Sequence, residues 1–165
     1  LRAYGVSVDT LADMQIAMQT TGCTVLELLF NAFHQDVRAG LDGAAAQGIG
    51  LIAKVPLDSG WLAGRYDASS RFDGVRDRWS PQVIARRAAL VAQFAGQLPP
   101  GLPLAHGALG YALAQPQIAT VIPGARSPQQ VLDNMAASDV KLDVRTVDAI
   151  LALWERQIKA EPLPW

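Results

Sequence analysis

Four apolar runs pace this chain, and their spacing limits the folds open to it. They are Arg2 to Ser7, Val25 to Phe30, Gly50 to Val55 and Ile118 to Ile122. None alternates cleanly between apolar and polar residues along its whole length, as expected of parallel strands covered on both faces. The first three start about 23 to 25 residues apart, the pace of a repeating strand-helix unit. Helical patterns fill the gaps: Asp9 to Thr20 carries Leu11, Met14, Ala17 and Met18 on one face, and Val37 to Gln47 stops at Gly48. Such alternation requires a parallel sheet with right-handed crossovers.

After the third run the rhythm breaks. Residues 56 to 80 are rich in Gly, Asp, Arg and Ser and read as a long loop. Ser80-Pro81 then opens a helix to about Leu98, the Pro-Pro-Gly break at 99 to 101 ends it, and Pro103 to Gln115 forms another. One helix starts at Pro128, and a last one runs from Asp143 to Ala160 with Val147, Ile150, Leu151 and Trp154 along its apolar stripe. The fold class expected is α/β: four parallel strands with helices between them and an extra C-terminal helix, all in one domain over residues 1–165.

Composition excludes several functions. The 165 residues are 50% hydrophobic and 18% charged with a formal net charge of -1, so a globular core is expected and a basic nucleic-acid surface is not. The apolar runs are too short to cross a bilayer. A lone Cys23 forbids an internal disulfide and fits a reducing, cytoplasmic setting. Two histidines and one cysteine do not make a zinc site.

The segment Val121 to Pro128 carries the clearest chemical signal. The fourth strand stops at Pro123-Gly124, Arg126 follows, and Ser127-Pro128 opens a helix. Ser127 can cap the first free amides, Pro128 needs no hydrogen-bond partner at the first helical position, and Gln130 stands where a capping box closes. A helix N-terminus beside a guanidinium brings oriented amides and a full positive charge to one point, a natural site for phosphate.

Four blocks in this order resemble the C-terminal half of an aldo-keto reductase, an NADPH-dependent (β/α)8 barrel. They are Arg2-Ala3-Tyr4-Gly5-Val6-Ser7, Asn31 at the end of the second strand, Ile52 through Gly64 with its Pro-Leu-Asp-Ser-Gly-Trp-Leu-Ala-Gly core, and Val121 through Arg126 with Asn134. The resemblance implies that these are strands five to eight of the barrel. It also implies that Ser7 and Asn31 hold the nicotinamide carboxamide, and that Pro56, Leu57 and Gly60 cross the pyrophosphate. Gly124 and Arg126 would form the phosphate-binding turn, with Arg126 placed for the adenosine 2′-phosphate and Gln130 and Asn134 meeting the adenine. One departure is Lys54, which stands where many relatives stack an aromatic ring on the nicotinamide. The other is that the family's catalytic tetrad belongs to strands one to four. Hydride transfer to a carbonyl needs a proton donor. The tyrosines here lie in a strand (Tyr4), in the long loop (Tyr66) and inside a helix (Tyr111).

Half a barrel has physical consequences. Four strands cannot close, so two edges stay bare. With the helices on one side, Val6, Leu28, Phe30 and Ile52 are expected to form an apolar open face that needs cover. A homodimer or a missing N-terminal half would supply it. The long loop, with Trp61, Leu62, Phe72 and Trp79, is a further candidate cover. The functional expectation is a half-barrel that keeps much of the NADPH surface and does not reduce aldehydes or ketones alone. The alternatives are a dimerising structural relic and a Lys54 Schiff-base lyase. His34 reads as a surface-loop residue, His106 as a half-exposed helical one. Arg65, Arg71, Arg76 and Arg78 give the long loop a positive character.

Overall fold

The computed structural model describes residues 1–74, 77 and 79–164. Four parallel strands form one open sheet in the order β1-β2-β3-β4, namely Gly5–Val8, Val25–Leu29, Gly50–Lys54 and Ile118–Ile122. The helices are α1 (Leu11–Thr20), α2 (Leu41–Ala46), α3 (Pro81–Ala95), α4 (Leu104–Leu113), α5 (Pro128–Ala136) and α6 (Val144–Gln157). This is the α/β half-barrel expected.

Local chemistry sets the helix starts. The side chains of Thr10, Ser80, Ser127 and Asp143 accept from the backbone N–H groups of Asp13, Val83, Gln130 and Thr146, the N-cap geometry of each helix. Pro81 and Pro128 follow their caps in the first turn. The helix expected from Val37 to Gln47 is split. Asp36–Gly40 is a 3-10 segment and α2 continues it. Gly40 marks the join, where α1 packs so closely that a Cβ would stand 2.8 Å from the Met14 sulfur.

The first strand begins later than expected. Tyr4 lies just ahead of β1, half exposed, and its hydroxyl donates to the Thr21 carbonyl. Gly5 opens β1 because β2 approaches it closely: a Cβ there would stand 2.7 Å from the Val25 carbonyl oxygen. That oxygen is backbone and has little freedom to move. Gly5→Val is therefore expected to destabilise the fold by about 1–3 kcal/mol, the range for overpacking, as read from urea unfolding.

The core lies between the sheet and its helices. Leu26, Leu28, Leu51 and Ala53 have no exposed surface and pack with Met14, Ala44, Phe94, Tyr111 and Ile150. Side chains alternate along a strand, and this overturns the expected open face. Leu28 and Phe30 point to the helices, with Phe30 stacked on Tyr111 at 6.2 Å between ring centroids, and Val6 packs against the same core. Of the four residues expected outside, only Ile52 has that parity. It stands in one row with Ser7, Glu27 and Thr120, and the next row is Leu29, Lys54 and Ile122. The open face is mixed rather than oily. Exposed apolar residues sit at the margins instead: Ile16 on α1, Ile122 on β4, and Val131, Leu132 and Met135 on α5, a helix with no buried residue.

The described aromatic residues of the long loop pack on α3 instead of on the open face. Trp61 and Trp79 are buried against Ile84 of α3, with Tyr66, Phe72 and Val83 packed around them. Ring centroids lie 4.8 Å apart for Tyr66–Phe72 and 5.0 Å for Phe72–Trp79, so the loop is a second small aromatic core.

Candidate functional site

A cleft of about 310 Å³ opens at the carboxyl ends of β3 and β4. Ligands gather at this end of parallel α/β units. Pro56, Leu57, Gly60 and Arg65 line one wall, and Pro123, Gly124 and Arg126 the other. Five of the expected cofactor contacts, Pro56, Leu57, Gly60, Gly124 and Arg126, thus meet at one place. No carboxylate lines the cleft among the described residues, and neither Arg65 nor Arg126 has an ion-pair partner among them.

The β4 wall is built from its cap. Gln130 donates its backbone N–H to Ser127 Oγ at 3.2 Å, and its side-chain oxygen accepts from the Arg126 N–H at 2.7 Å. Gln130 therefore closes the turn that presents Arg126, reaching one residue further back than a capping box. No side-chain or backbone atom stands within 4 Å of a Cβ built on Gly124, so this side of the turn is open.

The β3 wall is an unusual piece of backbone. Val55, Asp58 and Ser59 have φ of 53°, 45° and 55°, values that non-glycine residues rarely adopt, and Gly60 has 104°. A Cβ on Gly60 would stand 3.1 Å from the Tyr66 ring and 3.3 Å from Arg65 Cδ. The loop is pinned from both ends. Asn31 donates from Nδ2 to the Val55 carbonyl at 2.9 Å, while its Oδ1 accepts from the Phe33 and His34 N–H groups. Asn31 has no exposed surface and braces this loop through these bonds.

Beneath the loop lies a charged network that the sequence reading missed. The Asp58 carboxylate is fully buried, with Arg87 Nη1 on one oxygen and His34 Nε2 3.3 Å from the other. Burial pushes the Asp58 carboxyl up, but His34 and Arg87 more than offset this and leave it below its ordinary value. His34 is only 12% exposed at its side chain, so it is not the surface-loop residue expected.

The remaining candidates are placed elsewhere. Ser7 lies on the open face, where its hydroxyl accepts from Lys54 Nζ at 2.8 Å. The same Nζ stands 2.7 Å from Asp9 Oδ1, an acidic neighbour not foreseen. This ion pair ties up the amine that a lyase needs free. Asn134 lines a separate cavity of about 400 Å³ between β4 and α5, beside Val131 and Met135. Tyr111 donates to Gln35 Oε1 at 2.6 Å, and burial pushes its hydroxyl well above the ordinary tyrosine value. Tyr4 donates to a backbone carbonyl and Tyr66 sits in the aromatic cluster, so neither stands at the cleft as a proton donor. His106 is half-buried on α4. Arg71 folds back onto the carbonyls of Ser69 and Ser70, and Arg76 and Arg78 lie outside the described residues. Among the described residues no cluster of three or more His, Cys, Asp or Glu could hold a metal, and no helix is long and apolar enough to cross a membrane.

Half of a parallel barrel with a cationic cleft at its carboxyl rim defines the class. A sequence model of the Aldo/keto reductase family matches residues 1–155, and the chain belongs to that family. The glycerol dehydrogenase AKR11B4 from Gluconobacter oxydans superposes with a TM-score of 0.80 at 20% identity, over 99% of this chain and 51% of its own. The holo form of aldo-keto reductase AKR11C1 from Bacillus halodurans gives 0.72 at 21% identity, over 92% of this chain and 50% of its own. At these identities the likeness is one of fold. The chain spans about half the length of the solved structures it matches, and no curated protein matches its sequence.

Proposed function

We propose that the chain is the cofactor-holding half of an NADPH-dependent aldo-keto reductase barrel. The observation that carries this reading is that Arg65 and Arg126, neither with an ion-pair partner among the described residues, line one cleft between the β3 and β4 loops whose described lining holds no carboxylate. Its donor set suits phosphate. Planar cations bind phosphate oxygens through parallel hydrogen bonds, and the N-terminus of α5 adds oriented amides. Gly124, with open space where a Cβ would stand, lets a bulky anion approach the backbone. When bound, NADPH supplies the hydride for carbonyl reduction.

The chain's own residues bind and orient in this reading; they do not supply the proton. Ser7, Lys54 and Asp9 form a polar rim on the open face, beside the place that family resemblance assigns to the nicotinamide. With all three tyrosines engaged elsewhere, the proton donor falls to another (β/α)4 unit seated on the open face. Both bare strand edges and the exposed apolar residues of α1 and α5 favour that occupant. The lone, buried Cys23 fits a cytoplasmic setting.

Titration with NADPH, followed by fluorescence or calorimetry, tests the binding half of the proposal. Saturable binding is expected, and none at millimolar cofactor would leave a structural relic. An aldehyde-reduction assay tests the rest: turnover is expected only after an N-terminal (β/α)4 half of a relative is added. Turnover by the purified chain alone would overturn the division of labour. The solution mass under the same conditions separates monomer from a dimer in which a second copy takes the open place.

A further inference from the structure

The charged network under the β3 loop has a further role, which rests on the cofactor reading above. Arg87 is fully buried on α3, and its planar fork reaches three parts of the chain at once. Nη1 bonds Asp58 at the start of the long loop, Nη2 donates to the Pro164 carbonyl in the C-terminal tail at 2.6 Å, and the guanidinium lies 4.8 Å from the Trp79 ring centroid at the loop's end. The tail is itself docked: Leu163 is 4% exposed, and Arg86 donates to the carbonyls of Gln157 and Glu161 at 2.7 Å.

Asp58 occupies a telling place. Its side chain turns into the protein, while its neighbours Leu57, Ser59 and Gly60 line the cleft. Its backbone and that of Ser59 are held in the left-handed region, which side-chain-bearing residues leave unless their surroundings compel them. The compelling contact is the buried ion pair, because a carboxylate with no exposed surface cannot move without losing its cation.

We propose that Asp58, Arg87 and the tail around Pro164 are positioning elements for the phosphate cleft, coupling the docking of the C-terminal tail to the shape of the cofactor-binding loop. None of them touches the cleft with its side chain. They act by holding the backbone on which Leu57, Ser59 and Gly60 stand.

Two variants test this, each compared with the unaltered chain by amide hydrogen exchange and by NADPH titration. Asp58→Asn keeps the side-chain shape and removes the charge. A chain ending at Glu161 removes the Pro164 carbonyl and leaves α6 whole. The loop amides of Gly60, Leu62 and Arg65 donate within the loop and are the reporters. They are expected to exchange faster in both variants by at least about tenfold more than any change at the Leu28 and Ala53 amides of the sheet, which follow global stability. The NADPH dissociation constant is expected to rise at least about fivefold. Unchanged loop exchange would overturn the proposal. So would equal acceleration of loop and sheet amides, the mark of plain destabilisation, or a loosened loop with unaltered affinity. If the unaltered chain does not bind NADPH, the cofactor reading fails, and loop exchange alone decides whether the pair and the tail hold the loop.

Discussion

Arg87→Met is expected to lower the stability of the fold by about 3–5 kcal/mol, the range for stranding one partner of a buried ion pair. Asp58 has no exposed surface, and the substitution takes the guanidinium from its carboxylate and leaves it His34 among the described residues. Urea unfolding at neutral pH measures the loss. Adding Asp58→Asn to Arg87→Met should recover much of it, because the second change removes the stranded charge; a double variant no more stable than the single would refute this account. The pH dependence has a definite sign. The folded-state carboxyl of Asp58 lies below its ordinary value, near 3.9 for an aspartate. Its contribution is therefore complete above the ordinary carboxylate range. It fades as pH falls through that range toward the lower folded value. The gap between the unaltered chain and Arg87→Met should narrow over the same acidic window, where a protonated Asp58 no longer needs its cation.

Arg126→Ala should separate the two nicotinamide cofactors. Hydrogen bonds to a charged group are worth about 1.5–3 kcal/mol each, and about 1.4 kcal/mol is a tenfold change in affinity. NADPH binding should weaken about ten- to a hundredfold, with NADH binding little changed, because only NADPH carries the 2′-phosphate. Calorimetry with both cofactors at fixed ionic strength gives the comparison. Equal weakening of both would move Arg126 from the 2′-phosphate to the pyrophosphate. Arg65→Ala provides the contrast: Arg65 lines the opposite wall with the loop expected to cross the pyrophosphate, so its removal should weaken both cofactors alike.

The parts of this protein that were legible in its sequence are those governed by short-range rules. Ser80, Ser127 and Asp143 declare their helices because a cap needs only an oxygen two or three residues from a free amide. The four strands declare themselves by apolar content and pace. Which way each strand faces was less legible. Leu28 and Phe30 were expected on the open side and Glu27 was passed over, because parity depends on which row the helices cover, a tertiary fact. The family resemblance assigns Asn31 to the nicotinamide, but its bond to the Val55 carbonyl, 24 residues on, shows only in the folded chain. The Asp58–Arg87 pair, 29 residues apart, carries no local signature, and neither does the approach of Asp9 to Lys54.

The strand order has a consequence for how copies of this chain would meet. β1 bounds one side of the sheet and β4 the other, and both run the same way. If the β4 side of one molecule received the β1 side of the next, the growing ribbon would have a head and a tail. Such growth stops only when curvature brings the last strand round to the first, at eight strands for this architecture; failing that it runs on as a fibre. Solutions of the bare chain should thus clear or cloud according to whether two molecules complete the circle before a third arrives.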